Sequence, residues 1–462
     1  MVHRRRVGRH PPPRHPTAAA RTARAAAPRS PASGGFRVTT SVPVPAPAPA
    51  SSGGVDPRRW PDVAAPPRCS RARAAVAGAV VRRALSRLPL NCRLGPGGPV
   101  LGTGGPVVEI ADPEAFFRRV GAGGLIGFGE SWMAGEWDAP DLVAVLTVLA
   151  ANVTALVPRP MQRLRALWAR REPRERRNTL DGARDNIHAH YDLSNELFAL
   201  FLDETLTYSS AVFAGLPAGP EALADAQRRK IDRLLDLARV GEGTRLLEIG
   251  TGWGELAVRA ARRGAQVVTV TLSEEQRRLA AERIEEAGLS GRATVLLRDY
   301  RQVTGRYDAV VSVEMIEAVG AEYWPAYFTA LDRLLAPGGR IALQAITMAD
   351  DRMRATRHTH TWIQKYIFPG GLIPSPEAIE RTLAAHTTLR VEESTGFAAH
   401  YAETLRLWRE RFTDRAAEVA ALGFDEVFRR MWTLYLGHSE AGFRSGYLDV
   451  RQLLLTRGET AR

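Results

Sequence analysis

Residues 248–254 read Glu-Ile-Gly-Thr-Gly-Trp-Gly and are the most chemically explicit stretch of this 462-residue chain. They follow the apolar pair Leu246 and Leu247 and lead into Glu255–Arg262, whose spacing predicts a helix. Glycines between a strand and a helix let the backbone turn sharply and approach a ligand with no Cβ in the way. The pattern is not Gly-x-Gly-x-x-Gly, and the chain has no Gly-x-x-x-x-Gly-Lys-Ser/Thr phosphate loop. An acid two positions before the first glycine, here Glu248, marks the form of this turn that cradles S-adenosylmethionine (SAM), a cofactor without phosphate. Gly250, Gly252 and Gly254 are therefore candidate cofactor contacts.

The elements that would hold this turn alternate. Gln266–Val270, Ala293–Leu297, Tyr307–Val313 and Arg340–Ile346 read as buried strands. Ser273–Ala287 reads as a helix with Ser273 as N-cap and Gln276 at the capping-box position, Trp324–Leu335 as another helix, and Ala336–Gly339 as a turn. Such alternation predicts an α/β fold, a doubly wound parallel sheet of Rossmann-like type. Ligands on such sheets bind at the carboxyl ends of the strands, which aligns Gly250–Gly254, Thr271–Leu272, Asp299–Tyr300, Glu314–Glu317 and Gln344–Ile346 along one rim.

Composition sets the remaining bounds. The net charge is +13, but residues 1–60 hold eleven arginines and one acid, so the tail carries +10 and the remainder +3. Residues 1–70, rich in Pro, Ala and Arg, are expected to be a disordered basic tail without a signal-peptide core. A small N-terminal accessory domain is expected over 71–160, a linker helix over 161–184 and the catalytic domain over 185–462. Cys69 and Cys92 sit in no metal-ligand or disulfide pattern, so no metal is expected. Leu142–Val157 is too interrupted to span a membrane and reads as a buried or half-buried helix, with membrane-surface contact as the alternative. A cytoplasmic protein, peripheral at the inner membrane surface, is the expected setting. The two lysines, Lys230 and Lys365, read as a mark of genome composition.

His190–Phe198, Thr207–Ser210, Leu246–Gly254, Val270–Gln276, Asp299–Arg301 and Ser312–Glu317 form an ordered series, continued by Trp362–Gly370, Tyr401–Trp408 and Phe443–Tyr447. Together these blocks resemble the cyclopropane-fatty-acyl-phospholipid synthases and mycolic-acid cyclopropane synthases. Gly127–Trp132 and Gly135–Asp138 are similar to the accessory region of the same family, less specifically. The resemblance implies a class I SAM methyltransferase that moves a methyl onto the cis double bond of a phospholipid acyl chain through a carbocation. Proton loss from the added methyl closes a cyclopropane; after a hydride shift it leaves an exocyclic methylene.

The resemblance also assigns residues. SAM would be held by Tyr208, Ser209, Glu248, Gly250, Gly252, Gly254, Thr271, Leu272, Gln276, Tyr300 and Val313. A bicarbonate base would be caged by Ser210, Glu317, Gln344, the Ile346 backbone and Tyr401, with Ser439 at a further position of the pattern. The chain departs from the family where Ser210 and Ser439 replace cysteines, Ala318 and Gln344 replace histidines. That pattern is similar to the actinobacterial branch that methylenates oleoyl phospholipids towards 10-methyl acids, where a flavin- or nicotinamide-dependent reductase would follow. Both products stay open, as do a SAM enzyme acting on another small molecule and a degenerate lipid-binding member. A homodimer is compatible with the pattern, and no nucleic-acid partner is expected. Trp362, Tyr366, Phe368, Trp408, Trp432 and Tyr435 are either core or the wall of an acyl tunnel.

Overall fold

The computed structural model of the protein describes residues 55–153, 194–357 and 359–458. Most of the tail, the expected linker helix over 161–184 and the His190–Tyr191 pair lie outside the described residues.

A small sheet comes first. Strands β1 (Asn91–Leu94), β2 (Val100–Leu101), β3 (Val107–Ile110) and β4 (Trp137–Asp138) lie in the order β2-β1-β3-β4. The glycine-rich residues that follow β1 turn the chain into a hairpin, with β1 and β2 antiparallel. A short helix lies within the residues expected to form the tail. Helix Pro61–Ala64 buries Val63, because Arg119 reaches the carbonyls of Asp62 (2.5 Å) and Val63 (2.7 Å).

The large sheet is built from β5 (Arg245–Ile249), β6 (Gln266–Thr271), β7 (Ala293–Leu297), β8 (Tyr307–Val313), β9 (Leu335–Met348), β10 (Leu389–Gly396) and β11 (Leu448–Arg457). Their order is β10-β11-β9-β8-β5-β6-β7. β7, β6, β5, β8 and β9 run parallel, as expected, while β11 is antiparallel to both its neighbours. The expected parallel sheet is therefore a mixed one. Its two C-terminal strands were not read from the sequence, since β10 is a largely exposed edge with little apolar patterning. The Ala336–Gly339 turn is absorbed into β9 as a bulge: Tyr307 pairs with Leu335 and Ala309 already with Arg340.

From β5 the chain winds outward through β6 to β7, then returns to lay β8 on the other side of β5. That reversal opens a crevice beyond the carboxyl ends of β5 and β8, where doubly wound sheets take their ligands. Helices Ala398–Asp414 and Glu426–Arg444 pack beside it. They share one apolar core with Phe198, Phe201 and the N-terminal helices Leu125–Met133 and Leu142–Ala151. The last of these buries Leu142, Val143, Val145 and Leu146.

Candidate active site

The turn after β5 separates its glycines by role. Gly250, Gly252 and Gly254 have φ of 96°, 52° and 92°, in the left-handed region. A Cβ on Gly250 would lie 2.7 Å from Met315 Cγ, and one on Gly254 3.0 Å from Ala280 Cβ. Protein packing demands those two glycines. A Cβ on Gly252 meets nothing within 4 Å, so that position faces open space a ligand can enter. The turn is pinned by the Trp253 indole, which donates to Asn195 Oδ1 (2.8 Å), and by Arg283, which donates to the Trp253 carbonyl (2.9 Å).

At the end of β6 the Thr271 hydroxyl donates to Gln276 Oε1 (2.8 Å) and accepts from the Ser273 N–H (3.1 Å). Ser273 caps its helix by accepting from the Gln276 N–H (3.3 Å). The expected capping box is only half made, because Thr271 rather than the Ser273 N–H engages the glutamine side chain. Leu272 and Val313 are half-buried at the ends of their strands. Glu248 is buried, and its Oε2 has no partner among the described residues. Burial pushes its carboxyl up to about 8, against the Thr269 hydrogen bond and the Lys230 charge. The open cradle at Gly252, the Thr271–Gln276 pair and this orphaned oxygen fit the expected cofactor. The Tyr300 ring is buried edge-on to Tyr327, 5.4 Å between centroids, just after the end of β7.

Across the crevice, the residues expected to cage an anion converge on a protein carboxylate instead. Glu314 follows β8 with φ of +51°, a conformation more usual for glycine. Its Oε1 accepts from the Ser210 N–H (2.9 Å) and Gln344 Nε2 (2.8 Å), and its Oε2 from the Tyr401 hydroxyl (2.6 Å). Backbone groups orient the amides. Gln452 Nε2 donates to the Lys230 carbonyl (3.3 Å) and to Gln344 Oε1 (3.0 Å), so Gln344 must turn its NH₂ towards Glu314. Helix Ala398–Asp414 supplies Tyr401 and, near it, Thr404, whose hydroxyl accepts from the Ala211 N–H (3.1 Å). One helix face thus sets both sides of the cluster.

Glu317 lies in the short helix Ile316–Val319 and accepts from the Ile346 N–H through Oε1. Its Oε2 is buried without a partner among the described residues. Burial, then the neighbouring Glu314 charge, pushes this carboxyl up to about 8. Burial also raises Glu314, but its donors and Lys230 favour the charged form. Both carboxyls are raised, but only Glu314 is surrounded by donors to its charged form. Burial drives Tyr401 well above the ordinary phenol range.

Glu314 is placed on the rim by its sequence position but given no role there, and Lys230 has no expected role at all. Lys230 is 1 % exposed, donates to Ser209 Oγ (2.6 Å) and is pulled down to about 8 by burial, against the charges of Glu314, Asp203 and Glu248. A signal was available: among 63 basic residues only two are lysines, and both are drawn into the fold, Lys365 in ion pairs with Asp62 and Glu130 and Lys230 buried against the Ser209 hydroxyl. Ser439 is half-buried on helix Glu426–Arg444 and makes no hydrogen bond to the Glu314 cluster.

The expected aromatic set divides. Tyr208 bonds the Tyr435 hydroxyl (2.8 Å) and packs against Trp408 (5.3 Å) and Phe198 (5.1 Å), while Trp432 and Phe368 pack on Tyr435. Trp362 and Tyr366 serve the N-terminal region: a Cβ on Gly129 would strike the Trp362 ring, and the Tyr366 hydroxyl donates to Glu130 (2.9 Å).

A SAM-type turn facing paired carboxyls and an aromatic wall matches what comparison with known proteins finds. The model of the mycolic acid cyclopropane synthetase family matches residues 178–453. The chain belongs to this family. It is accordingly a SAM-dependent methyltransferase of the cyclopropane-synthase type. The tuberculostearic acid methyltransferase UfaA1 of Mycobacterium tuberculosis is 56% identical over 414 residues, 88% of this chain and 97% of that protein. The cyclopropane-fatty-acyl-phospholipid synthase of Escherichia coli is 34% identical over 367 residues, 78% of this chain and 91% of that protein. Among solved structures, the family's cyclopropane synthase MmaA2 of M. tuberculosis superposes with a TM-score of 0.54 at 33% identity, covering 59% of this chain and 97% of its own. The mycolic acid cyclopropane synthase CmaA1, solved with S-adenosylhomocysteine and CTAB, gives 0.54 at 31% identity over 62% and 98%.

Proposed function

We propose that this enzyme adds a methyl carbon to the cis double bond of an unsaturated phospholipid acyl chain and releases a methylene-branched chain. The observation that carries the reading is the pair Glu314–Glu317 at the end of β8, beside the open cofactor turn and under an aromatic wall. Bound SAM supplies an electrophilic methyl on a sulfonium. An isolated alkene is a weak neutral nucleophile, and attack leaves a carbocation that water must not reach. The aromatic wall keeps the site dry, and ring faces such as Tyr401, stacked on Phe443 at 4.5 Å, offer quadrupoles to a cation. Glu314 supplies a fixed negative charge close to Tyr401.

Several features favour the methylene product. The extensive match to a tuberculostearic acid methyltransferase is one. The absence of histidine and thiol at positions 210, 318 and 344 is another, because it leaves carboxyls to handle the proton. A nicotinamide- or flavin-dependent reductase would then complete a methyl branch. Bicarbonate does not fit this donor set: the Ser210, Gln344 and Tyr401 donors are spent on Glu314, and Ile346 on Glu317. A further anion would face the Glu314 charge with these four donors already engaged.

Among the described residues no helix is long and apolar enough to cross a membrane. Reaching phospholipid would therefore call for peripheral contact, to which the basic residues 1–60 could contribute by attraction to anionic lipid. Expression in a host with oleoyl phospholipids, followed by mass spectrometry of fatty acid methyl esters, tests the reaction. The expected result is a gain of one CH₂ equivalent with the branch at the former double bond. A ring would reassign the product, and an unchanged profile with SAM-binding protein would refute the substrate class.

A further inference from the structure

We propose that the Glu314 carboxylate is the built-in base of this enzyme, occupying the role the family resemblance gives to bicarbonate, so that turnover needs no bicarbonate. The inference rests on the proposed reaction and specifies its proton acceptor.

Three donors from distant parts of the chain, the Ser210 N–H, Gln344 Nε2 and the Tyr401 hydroxyl, converge on one side-chain carboxylate at 2.9, 2.8 and 2.6 Å. These are the groups that would have held a free anion. The left-handed backbone at Glu314, φ +51°, is held by its own N–H, which donates to the Gln344 carbonyl at 2.7 Å. Strain of this kind at a non-glycine residue persists only where surrounding contacts over-determine it, and it concentrates at functional sites. The relay from the Lys230 carbonyl through Gln452 and Gln344 fixes the amide that faces the carboxylate.

The two oxygens are unequal. Among the described residues Oε1 holds two donors, whereas Oε2 holds Tyr401 alone and keeps a lone pair for a proton. In the proton-transfer step a C–H bond of the added carbon breaks. Its electron pair becomes the second bond of the exocyclic methylene, or the closing bond of a ring, and quenches the cation. The proton bonds to Oε2 of Glu314 and is released to solvent before the next turnover. No further reactant is needed. Glu317, whose own Oε2 lacks a partner among the described residues, is a positioning residue that presents a neutral carboxyl beside the base.

The test replaces Glu314 by glycine, which relaxes the φ of +51° and empties the donor cage without adding bulk. Turnover on oleoyl phospholipid vesicles should fall about 10²–10⁴-fold, the usual contribution of a general base. SAM affinity, measured by calorimetry, should be retained, which shows that the variant folds. Added formate or bicarbonate should restore part of the Glu314→Gly activity saturably. The intact enzyme should be equally fast in buffer stripped of carbon dioxide and in buffer with added bicarbonate. A second arm is independent of turnover: broadening of the ¹³C-bicarbonate NMR line should be saturable for Glu314→Gly and absent for the intact chain. Slower turnover of the intact enzyme in stripped buffer, undiminished activity of Glu314→Gly, or saturable bicarbonate binding by the intact chain would each overturn the proposal. If the intact enzyme modifies no unsaturated phospholipid, the substrate reading fails, while the binding arm still decides whether Glu314 fills the anion site.

Discussion

Glu314 and Glu317 carry the same functional group three positions apart, and only their partners separate them. Glu314 collects three donors, whereas Glu317 has one and a buried bare oxygen. Glutamine imitates a protonated carboxyl but not a carboxylate. Glu317→Gln should therefore lower the single-turnover rate by roughly tenfold, and Glu314→Gln by about 10²–10⁴-fold. A larger loss at Glu317 would reverse the assignment. The same variant has a pH signature. The native state holds the Glu317 proton up to about 8, whereas the unfolded chain loses it near 4.5. Between those values the native state binds more protons, so stability falls as pH rises through this window. Melting temperatures from pH 5 to 8 should fall less steeply for Glu317→Gln than for the parent. Glu314, Tyr401 and Tyr327 face the group and do not change that sign, while Glu248, also near 8, adds a slope that the variant retains. The turn gives a companion case. Gly252→Ala should weaken SAM binding at least about tenfold, or 1.4 kcal/mol, and cost only the left-handed backbone strain of about 1–2 kcal/mol; Gly250→Ala, which bears the same kind of strain and also strikes Met315, should lower the melting temperature further. Equal SAM affinity in Gly252→Ala and the parent would move the cofactor path elsewhere.

At the scale of elements, helix Glu274–Glu286 does more than cover the sheet. Its N-terminus presents Gln276 to Thr271, and near its other end Arg283 reaches the carbonyls of Thr205 and Trp253, both at 2.9 Å, and Glu255 at 3.0 Å. One helix therefore ties the glycine turn to the segment that carries Tyr208, Ser209 and Ser210. Arg283→Met should cost about 1–3 kcal/mol in denaturant unfolding and weaken SAM binding. Parent-like values for both would show that the clamp is idle. Much of this layer was legible. β7 and β8 match their expected bounds, and Ser273 is the N-cap, because apolar runs and caps are set by neighbours in the chain. β10 and the bulge in β9 were not legible. Their backbone is held by pairing with strands far away in sequence rather than by local pattern.

For the whole molecule, the N-terminal region and the catalytic sheet's helices form one apolar core. Trp132 is buried, donates to the Arg430 carbonyl (2.9 Å) and lies 4.1 Å beneath the Arg430 guanidinium. Lys365 bonds both Glu130 and Asp62, joining the same two regions. Trp132→Ala should destabilise the chain by about 3–5 kcal/mol, in a single cooperative transition measured by calorimetry. A second transition appearing in the variant would show that the two regions fold separately. By itself the sequence determined the cofactor and the sheet that holds it. A glycine turn, an apolar strand and a capped helix are each written in contiguous residues whose backbone demands are local. The tertiary structure alone decided which carboxyl is the anion. The donors that choose Glu314 stand 104, 87 and 30 positions away in the chain, and a hydrogen bond across such distances exists only once the fold has brought its two ends together.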